Sequence, residues 1–252
     1  MKAKLIFTLV CTSFVTSQAW AVNGAIVGNS GGALFQNGIG QLYDLYEAYH
    51  PELYGRKKPT LPPQLTVKET IEWGLSRMSV AYPGTTLRLR EMISTWEQQI
   101  NIDNAPVPPT SFFSADIPPS FPDILSIPRI VFLWNEELPT YPDAFPQFIP
   151  KGATFATVAH WGDPFGKLFI QADRYQQLET LSRAALFIHE ALYGLVRQTR
   201  PEYDQDPLLN SMQVRRFVGS VFSTDTCLVS IPTGETWDDA CREPQAPKRL
   251  SK

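Results

Sequence analysis

His189 and Glu190 sit side by side in the most apolar run of the chain, Ala184-Ala185-Leu186-Phe187-Ile188-His189-Glu190-Ala191-Leu192-Tyr193-Gly194. Charged side chains are seldom buried without a partner, so the pair implies either a polar site or a partner elsewhere. On a helix with His189 at 0°, Tyr193 falls at about 40°, Arg197 at about 80° and Glu190 at about 100°. Phe187, Ile188, Leu192 and Leu195 fall on the other side, so the polar groups form one stripe. A histidine and a glutamate on one face can move protons as general acid and base. The same imidazole can bind a metal whose water the carboxylate then activates.

The spacing resembles the zincin metallopeptidases, whose helix carries H-E-x-x-H with both histidines on zinc and the glutamate as general base. The resemblance would make His189 the metal ligand and Glu190 the catalytic base. Tyr193 departs from it, standing where the second histidine belongs, and neutral tyrosine is a poor zinc ligand. A zinc site would then draw on His160, His50 or Asp206 from elsewhere in the chain. Zinc is the one cofactor this motif leaves open, and no other is implied.

Two further readings remain. One is a metal-free ligand or hydrolase site in which Tyr193 and Arg197 flank His189 and Glu190. The next helix could add Ser211 and Arg215, which lie at about 60° and 100° from Val214 and so border its buried face. The other is structural: Glu190 and Arg215 form an interhelical ion pair, His189 and Tyr193 donate to backbone carbonyls, and the cluster fixes how two helices dock.

The elements that position this stripe can be read from periodicity and punctuation. Residues 22–36 are small and Gly-rich, a flexible arm or a short first strand. Residues 39–50 recur helically through Leu42, Leu45, Tyr46 and Tyr49, with Pro51 ending the pattern. Thr66 with Glu69 predicts a capping box and a helix to about Ala81, and a third helix covers roughly 86–99. The segment 104–150 holds 11 of the 22 prolines and is expected to be irregular, apart from one strand near 129–134. Residues 153–160 alternate as a strand, 161–166 turn, and 167–172 return. A long helix follows over 181–198 with Thr180 as N-cap, then another over 207–222 with Asp206 as N-cap and Pro207 at its first position.

The first 21 residues have the parts of a secretory signal: Lys2 and Lys4, an apolar Leu5–Val15 stretch, and Ala19-Trp20-Ala21. Cleavage after Ala21 would leave residues 22–252 as a single domain, exported to the periplasm or secreted. Without Lys2 and Lys4, 20 basic and 25 acidic side chains remain, a net charge of −5. That balance argues against nucleic acid as a partner. No stretch of the mature chain is long and apolar enough to span a membrane. An envelope protein or a peptide is the partner class left. Cys227 and Cys241 are the cysteines that survive cleavage, and in an oxidising compartment they are expected to pair and close the C-terminal tail.

Several segments together resemble a group of uncharacterised exported proteins of Gram-negative bacteria, of the predatory-bacterium type. They are Gly28-Asn29-x-Gly31-Gly32, Leu42 to Ala48, the H-E-x-x-Y helix 186–197, Ser211-x-x-x-Arg215-Arg216 and Val218 to Ser223. The resemblance implies a cell-envelope location and no known activity, with Tyr193 part of the group's own pattern. The expected fold is α+β: a small antiparallel sheet centred on the 153–172 hairpin, packed against the helix pair 181–198 and 207–222, with additional N-terminal helices on another face. Two functions follow as expectations: an envelope protein of binding or structural role built around a buried His/Glu/Tyr/Arg cluster, or a zincin-like or metal-free hydrolase using His189 and Glu190.

Mass analysis with thiol alkylation should find Cys227 and Cys241 unmodified until reductant is added. Closing the 15-residue loop from 227 to 241 would contribute about 3 kcal/mol of stability, and freely alkylated thiols in the purified protein would refute the bond.

Overall fold

Asn37 and Gly38 both adopt positive φ, 53° and 78°, as the two central residues of a type I′ hairpin turn must. They join strand β1 (Ser30–Gln36) to β2 (Ile39–Leu42) in antiparallel register. The computed structural model describes residues 30–104, 129–135, 137–138, 146, 148–162, 167–199, 207–225 and 228–229. The expected signal peptide, Asp206, Cys227, Cys241 and most of the proline-rich segment lie outside these residues.

The hairpin corrects the helix expected from residue 39. Residues 39–42 pair with β1, and helix α1 begins only at Tyr43 and ends at Tyr49. Helical spacing of the apolar residues survives in that segment, but the Asn-Gly turn commits its first four residues to the sheet.

Helix α2 (Val67–Ala81) starts as its sequence predicts. The Thr66 hydroxyl accepts from the Glu69 backbone N–H at 3.1 Å, and the Glu69 carboxylate accepts from the Thr66 N–H at 2.9 Å. Helix α3 (Pro83–Gln99) begins three residues earlier than expected, because Pro83 occupies the first turn, where its missing N–H costs nothing. Strands β3 (Arg129–Leu133), β4 (Thr154–Gly162) and β5 (Lys167–Gln171) follow. A short helix α4 (Ala172–Gln177), absent from the sequence reading, leads into α5 (Thr180–Thr199) and α6 (Pro207–Val221).

The five strands form one sheet in the order β2-β1-β4-β5-β3, so the fold is α+β with the β4–β5 hairpin inside the sheet. Its pairings are antiparallel except that β3 joins β5 in parallel. Parallel neighbours need a long crossover, and here β4 with its connections supplies it.

Helix α5 is buried on all sides through its middle turns, as expected of a helix that is apolar nearly all round. It packs against α1, α2, α3 and α6 and against β1 and β2. Glycines set two of the closest approaches. A Cβ at Gly194 would lie 2.8 Å from the Trp161 ring, and one at Gly219 on α6 would lie 2.7 Å from Ala48 Cβ and 3.0 Å from the Asp44 carbonyl oxygen on α1. Thus the Trp161 ring of β4 seats directly on the α5 backbone at Gly194, and the α1 backbone lies directly on α6 at Gly219.

Replacing Thr66 by Ala should lower stability by about 1 kcal/mol in chemical denaturation. An unchanged midpoint would show that the capping box adds nothing to α2.

Candidate functional site

Two helices and two strands converge on α5 at His189 and Glu190. From α1, Asp44 and Glu47 sit three residues apart and so on one face. From α6 comes Arg215. Strand β1 contributes the Gly31 backbone, at an irregularity of its register with β4, and β4 contributes Trp161. Asp44, Glu47, His189, Glu190, Tyr193 and Arg215 are all buried, with His189 and Glu190 at 0% exposure.

His189 Nδ1 lies 2.6 Å from Asp44 Oδ2. The carboxylate accepts, so Nδ1 carries the proton. Burial pulls the imidazole down, but the charge and hydrogen bond of Asp44 outweigh it and hold His189 above its ordinary value. Arg215 Nε lies 3.2 Å from Glu47 Oε2, and its guanidinium covers the Tyr43 ring at 5.5 Å. Burial raises Glu47, with the positive charge of Arg215 opposing the shift.

Glu190 is held differently. Its Oε1 accepts from the Gly31 N–H at 3.0 Å and its Oε2 from the Trp161 indole N–H at 2.7 Å. A Cβ on Gly31 would meet Leu186 Cδ1 at 2.3 Å and Glu190 Oε1 at 2.6 Å, so only glycine lets the strand come close enough to donate. Burial pushes Glu190 up to about 7, against the charge of His189 and the two donated hydrogen bonds.

This geometry corrects the expected Glu190–Arg215 pair. Arg215 faces Glu47 instead, because α1 is wedged against α6 at Gly219 and brings its own carboxylates to the cluster. His189 likewise pairs with Asp44 rather than donating to a backbone carbonyl. Tyr193 is buried on the same helix. The side chains of Arg197 and Ser211 lie outside the described residues. Asp44, Glu47, Trp161 and Gly31 were not identified as site residues from sequence. The available signal was two acids inside the apolar stripe of α1, which must find partners once that stripe is buried.

Among the described residues no three His, Cys, Asp or Glu side chains are arranged to hold a metal ion. His50, at the end of α1, accepts from the Glu52 N–H at 3.3 Å and packs on Tyr46 and Phe148. His160 neighbours Trp161 on β4 and therefore points to the opposite face of the sheet. Residues 28–32 also spell G-x-S-x-G, but Ser30 opens β1, which turns into β2. The strand-to-helix elbow that exposes a nucleophile is not formed there.

No protein-family model, curated protein or solved structure matches the chain. Its functional reading therefore rests on the cluster itself. Asp44 Oδ1 and His189 Nε2 have no hydrogen-bond partner among the described residues. The described surface depression lined by Lys68, Glu97, Gln99 and Asp103 shares no residue with the cluster. No described helix is long and apolar enough to cross a membrane.

Replacing Arg215 by Ala should destabilise the fold by about 3–5 kcal/mol in chemical denaturation, since Glu47 would stay buried without its cation. A loss below about 1 kcal/mol would show that the pair does not hold α1 to α6.

Proposed function

We propose that the chain is an exported protein of the cell envelope, periplasmic or secreted after cleavage near Ala21, with a binding or structural role toward an envelope protein or peptide. In this reading the Asp44–His189 and Glu47–Arg215 pairs dock α1, α5 and α6 in one arrangement, and Glu190 ties the sheet to α5. The observation that carries it is enclosure: His189 and Glu190 expose no surface, whereas a catalytic acid and base must reach a substrate atom within hydrogen-bond distance. Buried ion pairs contribute less to net stability than to fixing which groups meet.

One observation favours a metal-free hydrolase as the second reading. Asp44 holds His189 by Nδ1 and leaves Nε2 without a hydrogen-bond partner among the described residues, the posture of a general base oriented by a carboxylate. That role needs Nε2 to be reachable.

Diethyl pyrocarbonate separates the two. The chain has three histidines. In the folded protein His50, which is part-exposed, should be modified while His189 stays intact, and denaturant should abolish the difference. Modification of His189 at the rate of His50 in the folded state would overturn the enclosed, non-catalytic reading.

A further inference from the structure

Where α2 gives way to α3, residues 80–87 (Val80-Ala81-Tyr82-Pro83-Gly84-Thr85-Thr86-Leu87) carry no charge. Val80 is 79% and Leu87 58% exposed. Pro83 and Gly84 between them are exposed as well. The turn is held from beneath. Tyr82 is fully buried and meets the Phe217 ring edge to face, and Thr86 Oγ1 donates to its carbonyl oxygen at 2.7 Å. The result is an apolar projection on a fixed base.

The chain that leaves α6 arrives at this place. Arg77, one turn before Val80 on α2, donates to the carbonyl oxygens of Ser223 and Asp225. Tyr82, two residues after Val80, donates its hydroxyl to the Val229 carbonyl oxygen at 3.1 Å, and the Val229 N–H donates to Ser220 Oγ at 3.3 Å. The C-terminal segment is thus fastened to α2 on both sides of Val80, and Val229 lies at the α2–α3 turn. We propose that residues 230–252 dock on this turn, with Ile231 and Trp237 covering Val80 and Leu87.

Reach, chemistry and size favour this occupant. Trp237 follows Val229 by eight residues, and eight extended residues span up to about 28 Å. Tyr82 and Leu87 are five residues apart on a helical stretch, only about 8 Å. Ile231 and Trp237 are the large apolar side chains of 230–240, and an indole buries enough area to cover both exposed residues. Glu235, Asp238 and Asp239 flank Trp237. Arg88, beside Leu87, is exposed and can meet them, whereas Arg90 already has Glu72 at 3.1 Å. An apolar patch of two side chains is too small to hold a separate molecule, since stable interfaces bury about 800 Å² on each partner. A tethered segment needs far less, because attachment keeps it at an effective concentration in the millimolar range.

The test uses the full chain with p-benzoylphenylalanine in place of Val80, and separately in place of Leu87. Both positions are exposed, so the label leaves the core intact. After irradiation and digestion, mass mapping should find each label joined to peptides from 230–252 of the same chain. Adding Trp237→Ala should remove most of that product. Products of twice the chain mass would overturn the proposal and make the turn a contact between copies. No crosslink from either position, or a yield indifferent to Trp237→Ala, would overturn it too. So would an equal yield from a label at Ser94, exposed two turns further along α3, because the segment would then be touching the surface at random.

Discussion

An imidazole cut off from water must find its counter-charge inside the protein, and in this fold His189 finds it on a different helix, 145 residues away at Asp44. Desolvating either group alone would be costly. Their contact requires α1 to be present at a fixed depth against α5 and α6. The Gly219 approach sets that depth by letting the α1 backbone at Asp44 and Ala48 press onto α6. Once α1 is there, Glu47 arrives one turn further along and gives Arg215 its partner. The N-terminal segment is therefore joined to the C-terminal helices by charge as well as by apolar packing.

The sheet is attached by a related device. Glu190 reaches out of α5 to a strand amide and an indole, and glycines at 31 and 194 remove the side chains that would stand in the way. A carboxylate that accepts from neutral N–H donors is partly compensated, and burial still dominates its proton affinity. The cluster thus combines two charge-matched pairs with one group whose charge depends on its surroundings. Wholly apolar packing could hold α5 as firmly, but it would not specify so closely which residues of α1, α6, β1 and β4 face it.

An Asp–His pair with a glutamate beside it is also the raw material of acid–base catalysis, and here access separates the two uses. Every charged member is enclosed by α1, α5, α6 and the sheet. Tyr193, at the place a second zinc-binding histidine would take, is itself part of the packed interior. Polar stripes on apolar helices have the same sequence appearance whether they line a cleft or a seam between elements.

Local chemistry was legible in the sequence wherever it was confined to a few neighbouring residues. The Thr66–Glu69 capping box, the proline that starts α6, the β4–β5 hairpin and the apolar span of α5 depend on contacts close in the chain, and the structure has each of them. The Asn37-Gly38 turn is equally local, but it was passed over in favour of the helical spacing that follows it. The partners of His189, Glu190 and Arg215 were not legible, because 145, 159 and 168 residues separate them from Asp44, Gly31 and Glu47. Periodicity fixes which face of a helix a residue occupies, and only the packing of that face decides which distant carboxylate it meets. The sequence by itself determined that α5 carries a polar stripe in need of compensation; the tertiary structure decided that the first helix and the first strand supply it, since only close approach in a dry interior can choose among charges of the same sign.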